Sequence, residues 1–296
     1  MRSGFVALIG RPNVGKSTLL NRLVGEKLAI VSDKPQTTRT RIAGVRNYDA
    51  GQVIYLDTPG IHRPTHRMNV RMVDAAVEGM QQADVVALVA DATDPRAGGR
   101  ERFILDRLQR TESPVVLVLN KVDQVPRPTL LPLIDRWQQR RTFTDIVPVS
   151  ALTGENVDRL EQVLLDRLPE GDPLYPTDYL TDQPERFFVS ETIREKVLEL
   201  THAEIPFSTA VAVDRFEDAD ERGIMRLYCS ILVDRESQKP ILVGRGGEMI
   251  KRIGTAARKD LERFFDARVF LDLRVKVAAE WREDSRLLDQ LGMPGK

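Results

Sequence analysis

Residues 10–17 read Gly-Arg-Pro-Asn-Val-Gly-Lys-Ser, GRPNVGKS, and this stretch decides the fold. It satisfies GxxxxGK[ST], with the apolar run FVALI before it and the amphipathic stretch STLLNRLVG after it. A strand that turns through glycines into a helix points several backbone amides at one anion. Gly10, Arg11, Pro12, Asn13, Val14, Gly15, Lys16, Ser17 and Thr18 are therefore the candidate phosphate cradle. In it Lys16 would neutralise the β and γ oxygens and Ser17 would ligate magnesium.

Outward from that loop, FVALIG, VIYLDTPG, DVVALVAD, PVVLVLN and DIVPVSA alternate with amphipathic stretches as far as Leu168. The alternation predicts an α/β unit, a mostly parallel sheet flanked by helices, over residues 1–168. Polar residues cluster after the strands, where a doubly wound sheet binds ligands. Residues 169–184, PEGDPLYPTDYLTDQP, have no periodicity and read as a linker draped over the surface. Residues 185–296 change pattern: a helical ERFFVSETIREKVLELT, paired strands STAVAVDRF and IMRLYCSILVDR, helices around GRGG, a strand VFLDLRVKV and a closing helix. They predict a smaller α+β domain.

The strand ends identify the nucleotide. VIYLDTPG places Asp57, suited to a magnesium-bound water, ahead of Thr58, Pro59 and Gly60, whose amide can face a γ-phosphate. After the next-but-one strand stands NKVD: Asp123 can accept from the N1–H and exocyclic amine of guanine, whereas adenine would leave that carboxylate unpaired. Asn120 would meet the opposite edge of the base, the Lys121 stem would pack along it, and the SAL segment, Ser150, Ala151 and Leu152, would supply a backbone donor to the guanine oxygen.

GRPNVGKS, QTTRT, DTPG, NKVD and SAL, in this order, resemble the translation-factor-like GTPases, and the alternative of a kinase is set aside. The resemblance implies that Thr38 joins the magnesium shell when a γ-phosphate is present, with Thr37 as the alternative, and gives Lys16, Thr38 and Gly60 the catalytic roles. Where a Ras-like enzyme places glutamine after DTPG this chain has Ile61, which cannot orient water. Either hydrolysis is slow and arranged otherwise, or GTP is bound without meaningful turnover. The resemblance favours the first, since such GTPases form a recognised group, and Asn13 matches the P-loop asparagine that coordinates K+ in several of them.

A second glycine loop stands at Gly244, Arg245, Gly246 and Gly247, with Met249, Ile250 and Ile253 marking one helical face beyond it. It resembles the GXXG turn of a KH domain of the type II order, which lets a nucleic-acid backbone approach the helices. The chain balances 44 Lys and Arg against 44 Asp and Glu, so any basic surface must be local. From Lys239 to Lys276 bases outnumber acids roughly two to one, and Gly244 to Gly247 with Lys251, Arg252 and Arg258 are the candidate RNA-binding residues. Cys229 is the single cysteine, which excludes an intramolecular disulfide and suits a buried thiol in a reducing compartment. No apolar stretch reaches membrane-spanning length, and the N-terminus lacks a signal-peptide pattern.

The combination, with QTTRTR, DTPGIHRP and a closing VKVAAEWRED, resembles the TrmE-Era-like GTPase family, Era subfamily. That resemblance covers nearly the whole chain. It implies a GTP/GDP switch requiring Mg2+ that binds the 3′ end of 16S rRNA and acts in assembly of the 30S subunit, as a cytoplasmic monomer. Two other classes stand beside it: a GTP-regulated RNA-binding placeholder with negligible turnover, and a peripheral membrane or cell-cycle signalling GTPase on the inner face of the membrane.

Overall fold

The computed structural model describes residues 1–296 apart from 33, 35, 36, 62, 63, 97, 100 and 296. Pro35 and Gln36 of the TTRT-containing stretch, and His62 and Arg63 beyond DTPG, thus lie outside the described residues. The chain divides into two compact units. One comprises Met1–Val31, Pro35–Thr65 and Met72–Asp182; the other comprises Ser32–Lys34, His66–Arg71 and Gln183–Lys296.

In the first unit the order is β1 (Arg2–Ile9), α1 (Lys16–Val24), β2 (Ile42–Tyr48), β3 (Gly51–Asp57), α2 (Arg67–Gln82), β4 (Val85–Asp91), α3 (Arg102–Leu108), β5 (Val115–Asn120), α4 (Leu130–Gln138), β6 (Asp145–Pro148) and α5 (Val157–Arg167). The first turn of α2 is counted with the second unit. The strands lie in the order β2-β3-β1-β4-β5-β6, all parallel except β2, which runs antiparallel to β3. Strands β3 and β5 are buried along their whole length, which accounts for their near-continuous apolar reading. Helix α5 buries Val157, Leu160, Val163 and Leu164, one face at helical spacing. Pairing of Leu8 with Asp57 and of Asp91 with Asn120 brings the polar strand ends to one edge of the sheet.

The sixth strand, β2, was absent from the sequence expectation; it forms a hairpin with β3 across Asp49 and Ala50. Residues 169–184, expected as a linker, belong to this unit as far as Asp182 and cover the open side of β2. Val45 N–H donates to the Leu180 carbonyl at 2.8 Å, and Thr181 Oγ1 donates to the Ala43 carbonyl at 2.6 Å. The stacked rings of Tyr175 and Tyr179, centroids 4.7 Å apart, close over Ala43, Val45, Ile54 and Leu56. An edge strand left open would template pairing with another chain, and this strap removes that edge.

The second unit holds α6 (Glu185–Leu200), α7 (Ile205–Ser208), β7 (Thr209–Glu217), β8 (Ile224–Val233), α8 (Lys239–Val243), α9 (Glu248–Phe265), β9 (Arg268–Val277) and α10 (Ser285–Gln290). Its three strands lie in the order β7-β8-β9, β7 antiparallel and β9 parallel to β8. Alternate residues of the strands, among them Val211, Leu227, Ile231 and Val269, meet Val189 and Ile193 of α6 and Ile253, Ala257 and Leu261 of α9 in one core. Cys229 lies in that core, where burial pushes its thiol up to about 12, the inert state of a packing residue.

Candidate nucleotide and nucleic-acid sites

The turn from β1 into α1 is closed by two approaches that exclude side chains. Gly15 has φ 94°, and a Cβ there would stand 2.3 Å from the Asn120 amide nitrogen. Gly60 lies so close to Pro12 that a Cβ would stand 2.7 Å from the proline nitrogen. The P-loop is thereby wedged between DTPG and NKVD.

Lys16 is buried, and its Nζ donates to the carbonyls of Gly10 at 3.3 Å and Arg11 at 3.0 Å. Burial lowers its pKa to about 8, against the pull of Asp57. The Arg11 guanidinium is engaged by Asp94 and Glu101, each at 3.3 Å, so Arg11 offers the cradle its backbone. Ser17 Oγ donates to Asp57 Oδ2 at 2.8 Å and lies 2.7 Å from Thr38 Oγ1, which itself donates to Asp57 Oδ2 at 3.1 Å. The other carboxylate oxygen, Oδ1, is buried and has no hydrogen-bond partner among the described residues. Burial raises the Asp57 pKa, offset in part by Lys16, Ser17, Thr38 and the Thr58 N–H. Two hydroxyls and a carboxylate with an orphaned oxygen are the hard donors magnesium takes, and nucleotide oxygens and water would complete its shell. The residues present fit the ion.

Thr58 is fixed by its hydroxyl to the Leu8 carbonyl at 2.9 Å. Ile61 donates its N–H to the Gly10 carbonyl at 3.1 Å and buries its side chain among Ile9, Leu88 and Ala90, so the position after DTPG is a core position. Asn120 Nδ2 donates to the Val14 carbonyl at 2.8 Å, and its Oδ1 accepts from Ala151 N–H at 2.9 Å, tying the P-loop to SAL. Lys121 and Asn13 both adopt left-handed backbone, at φ 69° and 64°. Lys121 Nζ bridges the Asn13 carbonyl at 2.8 Å and Asp91 Oδ2 at 2.6 Å. Although burial works against it, hydrogen bonds from Lys121 and Thr93 hold the Asp91 carboxyl below its usual range. Asp91 and Thr93 were missed in the sequence, where an acid at a strand end carries no motif. Asp123 is exposed in a short turn, Ser150 is buried with its Oγ accepting from Thr153 N–H at 3.1 Å, and Leu152 is exposed.

In the second unit Gly244 ends α8, Gly246 and Gly247 adopt positive φ, and Arg245 is exposed, so the turn offers its backbone to solvent. Beyond the turn an open groove of about 1050 Å³ runs between α9 and β9. Ile250, Lys251, Gly254 and Arg258 form one wall and Phe270 and Leu271 the other. Arg252 is exposed but does not line it. The β9 wall and Gly254 carry no signal in the sequence, because which strand edge faces a helix depends on sheet order.

A GTPase of the P-loop class with a guanine-type base loop, joined to a KH domain, is what these two sites and folds define. The family model described as 50S ribosome-binding GTPase matches residues 5–121, and the KH domain model matches residues 204–282. GTPase Era of Geotalea daltonii is 49% identical over 290 residues, covering 98% of this chain and 97% of the relative. GTPase Era of Leuconostoc citreum is 48% identical over 293 residues, 98% and 96% of the two chains. Two solved structures superpose over the full length of both chains at 40% identity: a variant of Aquifex aeolicus Era bound to GDP·AlF4−, TM-score 0.94, and Era in complex with MgGDPNP and nucleotides 1506–1542 of 16S ribosomal RNA, TM-score 0.95. The chain belongs to the Era family of GTPases.

Proposed function

We propose that this protein is a slow GTP-hydrolysing switch that binds the 3′ end of 16S rRNA during assembly of the 30S subunit. The observation that carries the proposal is the convergence of Ser17, Thr38, Asp57 and buried Lys16 in the same chain as the GRGG turn and its groove. Similarity over the whole chain to Era solved with MgGDPNP and an rRNA segment supports it.

In this mechanism Gly10 to Thr18 hold the phosphates, and Lys16 offsets charge on the β and γ oxygens. Ser17 and Thr38 would hold magnesium directly and Asp57 through water; when bound, the ion stabilises charge on the transferring phosphoryl group. Gly60 turns its amide toward the γ-phosphate, and Asn120, Lys121, Asp123 and Ala151 bind guanine. Thr38 and Gly60 thereby sense GTP against GDP. Asn13 would be a ligand for K+, an ion that would supply positive charge where Ile61 leaves no polar group. In the second unit Gly244 to Gly247 admit an RNA backbone, with Lys251, Arg252 and Arg258 on its phosphates. Ordering of the loops around Thr38 and Gly60 by GTP would be coupled to RNA binding in the second unit. The protein acts as a cytoplasmic monomer.

The test is the affinity of the full-length protein for an RNA of nucleotides 1506–1542 of 16S rRNA, loaded with GDP or with GDPNP. Tighter binding with GDPNP is expected. Equal binding would remove the coupling, and absence of binding in both states would remove the RNA role.

A further inference from the structure

Helix α1 starts at the P-loop lysine, and its last turn carries Arg22. An arginine in that place ordinarily turns back to the carbonyls of its own helix end. In α1 those carbonyls are served by others: Gly25 N–H donates to Asn21 at 2.9 Å, and Arg46 donates to Val24 at 3.3 Å. The Arg22 guanidinium reaches instead to the SAL segment. Its Nε donates to the Ala151 carbonyl at 3.3 Å and its Nη2 to the Leu152 carbonyl at 2.5 Å. Gly154, at φ 90°, brings the same loop close beneath the guanidinium, where a Cβ would stand 3.4 Å from Nη1. Arg22 forms no ion pair among the described residues, so both its printed bonds go to this one loop.

The consequence lies on the other side of the peptide planes. A trans peptide points its C=O and its N–H in opposite directions, so holding the Ala151 carbonyl toward α1 turns the Leu152 N–H away from Arg22. That N–H donates to no group among the described residues. Its neighbours are engaged: Ala151 N–H donates to Asn120 Oδ1 of NKVD at 2.9 Å, and Thr153 N–H donates to Ser150 Oγ at 3.1 Å. One spare backbone donor is thus left beside the base-loop asparagine, with its direction set by a side chain from the opposite end of the unit's sequence.

Resting on the guanine-binding role given above to NKVD and SAL, we propose that Arg22 is a positioning residue for guanine recognition. It fixes the SAL peptides so that the Leu152 N–H, beside that of Ala151, meets the guanine O6. Without it the planes turn freely and the O6 donor is lost, while Asp123 still reads the N1–H and the exocyclic amine.

The test compares GDP with 6-thio-GDP, which keeps the N1–H, the amine and the ring but carries sulfur, a weak acceptor, in place of O6. Full-length wild-type protein should bind GDP about fivefold more tightly than the thio analogue, the worth of one hydrogen bond. Arg22→Ala should lose that preference, binding GDP about fivefold more weakly than the wild type and 6-thio-GDP almost equally well. A purely structural role would weaken both nucleotides alike, and that result would overturn the proposal. So would a variant that keeps the full preference for GDP. Wild-type protein that binds the two nucleotides equally would instead remove the reading of O6 by SAL on which the role of Arg22 depends.

Discussion

Lys16 is a cation held in a place that disfavours its charge. Its pKa is lowered to about 8 from the ordinary 10.5, so between those values the folded chain sheds a proton that the unfolded chain keeps. Stability of the nucleotide-free protein is therefore penalised by this group at low pH, and the penalty diminishes as pH rises from about 8 toward 10.5, where the unfolded chain also loses the proton. Nucleotide binding has the opposite sign, since phosphates need the ammonium. GDP binding at a pH of about 8.5 to 9 should take up a proton and weaken as pH rises; calorimetry in two buffers of different ionisation enthalpy measures the uptake, and zero uptake would place the nucleotide charge elsewhere. Asn13 supplies a second prediction at this scale. Its backbone is left-handed and its carbonyl accepts from Lys121, and the proposed function gives it a role toward a monovalent cation. Hydrolysis should run faster in K+ than in Na+, and Asn13→Ala should abolish the difference; equal rates in wild-type protein would dismiss the cation.

At the scale of elements, the added strand β2 and its cover are the feature with most consequence. Gln52 is fully buried; its Oε1 accepts from Leu174 N–H at 2.8 Å and Tyr175 N–H at 2.9 Å, and its Nε2 donates to the Tyr175 carbonyl at 2.8 Å and to Asn47 Oδ1 at 2.9 Å. One amide thus fastens the strap to the hairpin. Gln52→Ala should cost about 1–3 kcal/mol, the penalty for leaving such backbone groups unpaired, and should open residues 171–182 to proteolysis before the core unfolds. Urea denaturation together with limited digestion measures both; a digestion pattern like that of the wild type would mean the tyrosine stack holds the strap alone. The strands of continuous apolar residues were legible in the sequence. Strand β2 was not, because IAGVRNY mixes small, charged and apolar residues and becomes a strand through its pairing with β3 and its cover.

At the scale of the whole molecule, net charge says nothing about the partner and its distribution says much. The chain is neutral, with 44 residues of each sign, and the groove between α9 and β9 has Lys251, Arg258 and Arg268 along it beside Glu262 and Asp266. With the same RNA of nucleotides 1506–1542, removing the Lys251 or the Arg258 side chain should flatten the logarithmic salt dependence of binding by about 0.7 for each phosphate no longer neutralised, uniformly over RNA sequence. A salt slope equal to that of the wild type would take both side chains off the RNA phosphates. The two units thus divide the chemistry: one is built around a nucleotide's phosphates and base, the other around a polymer's backbone and bases.

Both glycine loops, the guanine-type NKVD, the core thiol and the order of two domains followed from the sequence alone. Each is a contiguous run whose chemistry is local: backbone amides in a turn, a carboxylate shaped to one base, a period of apolar residues. The tertiary structure alone decided what depends on the meeting of distant residues. It set the Thr38 hydroxyl beside Ser17 and Asp57, turned Ile61 into the core, and clamped Lys121 between Asp91 and Asn13. It also laid residues 169–182 along an edge strand and set Gly254 on the groove by sheet order and helix face. Burial, pKa and the partners of a hydroxyl are set by neighbours that the fold brings together from far apart in the chain.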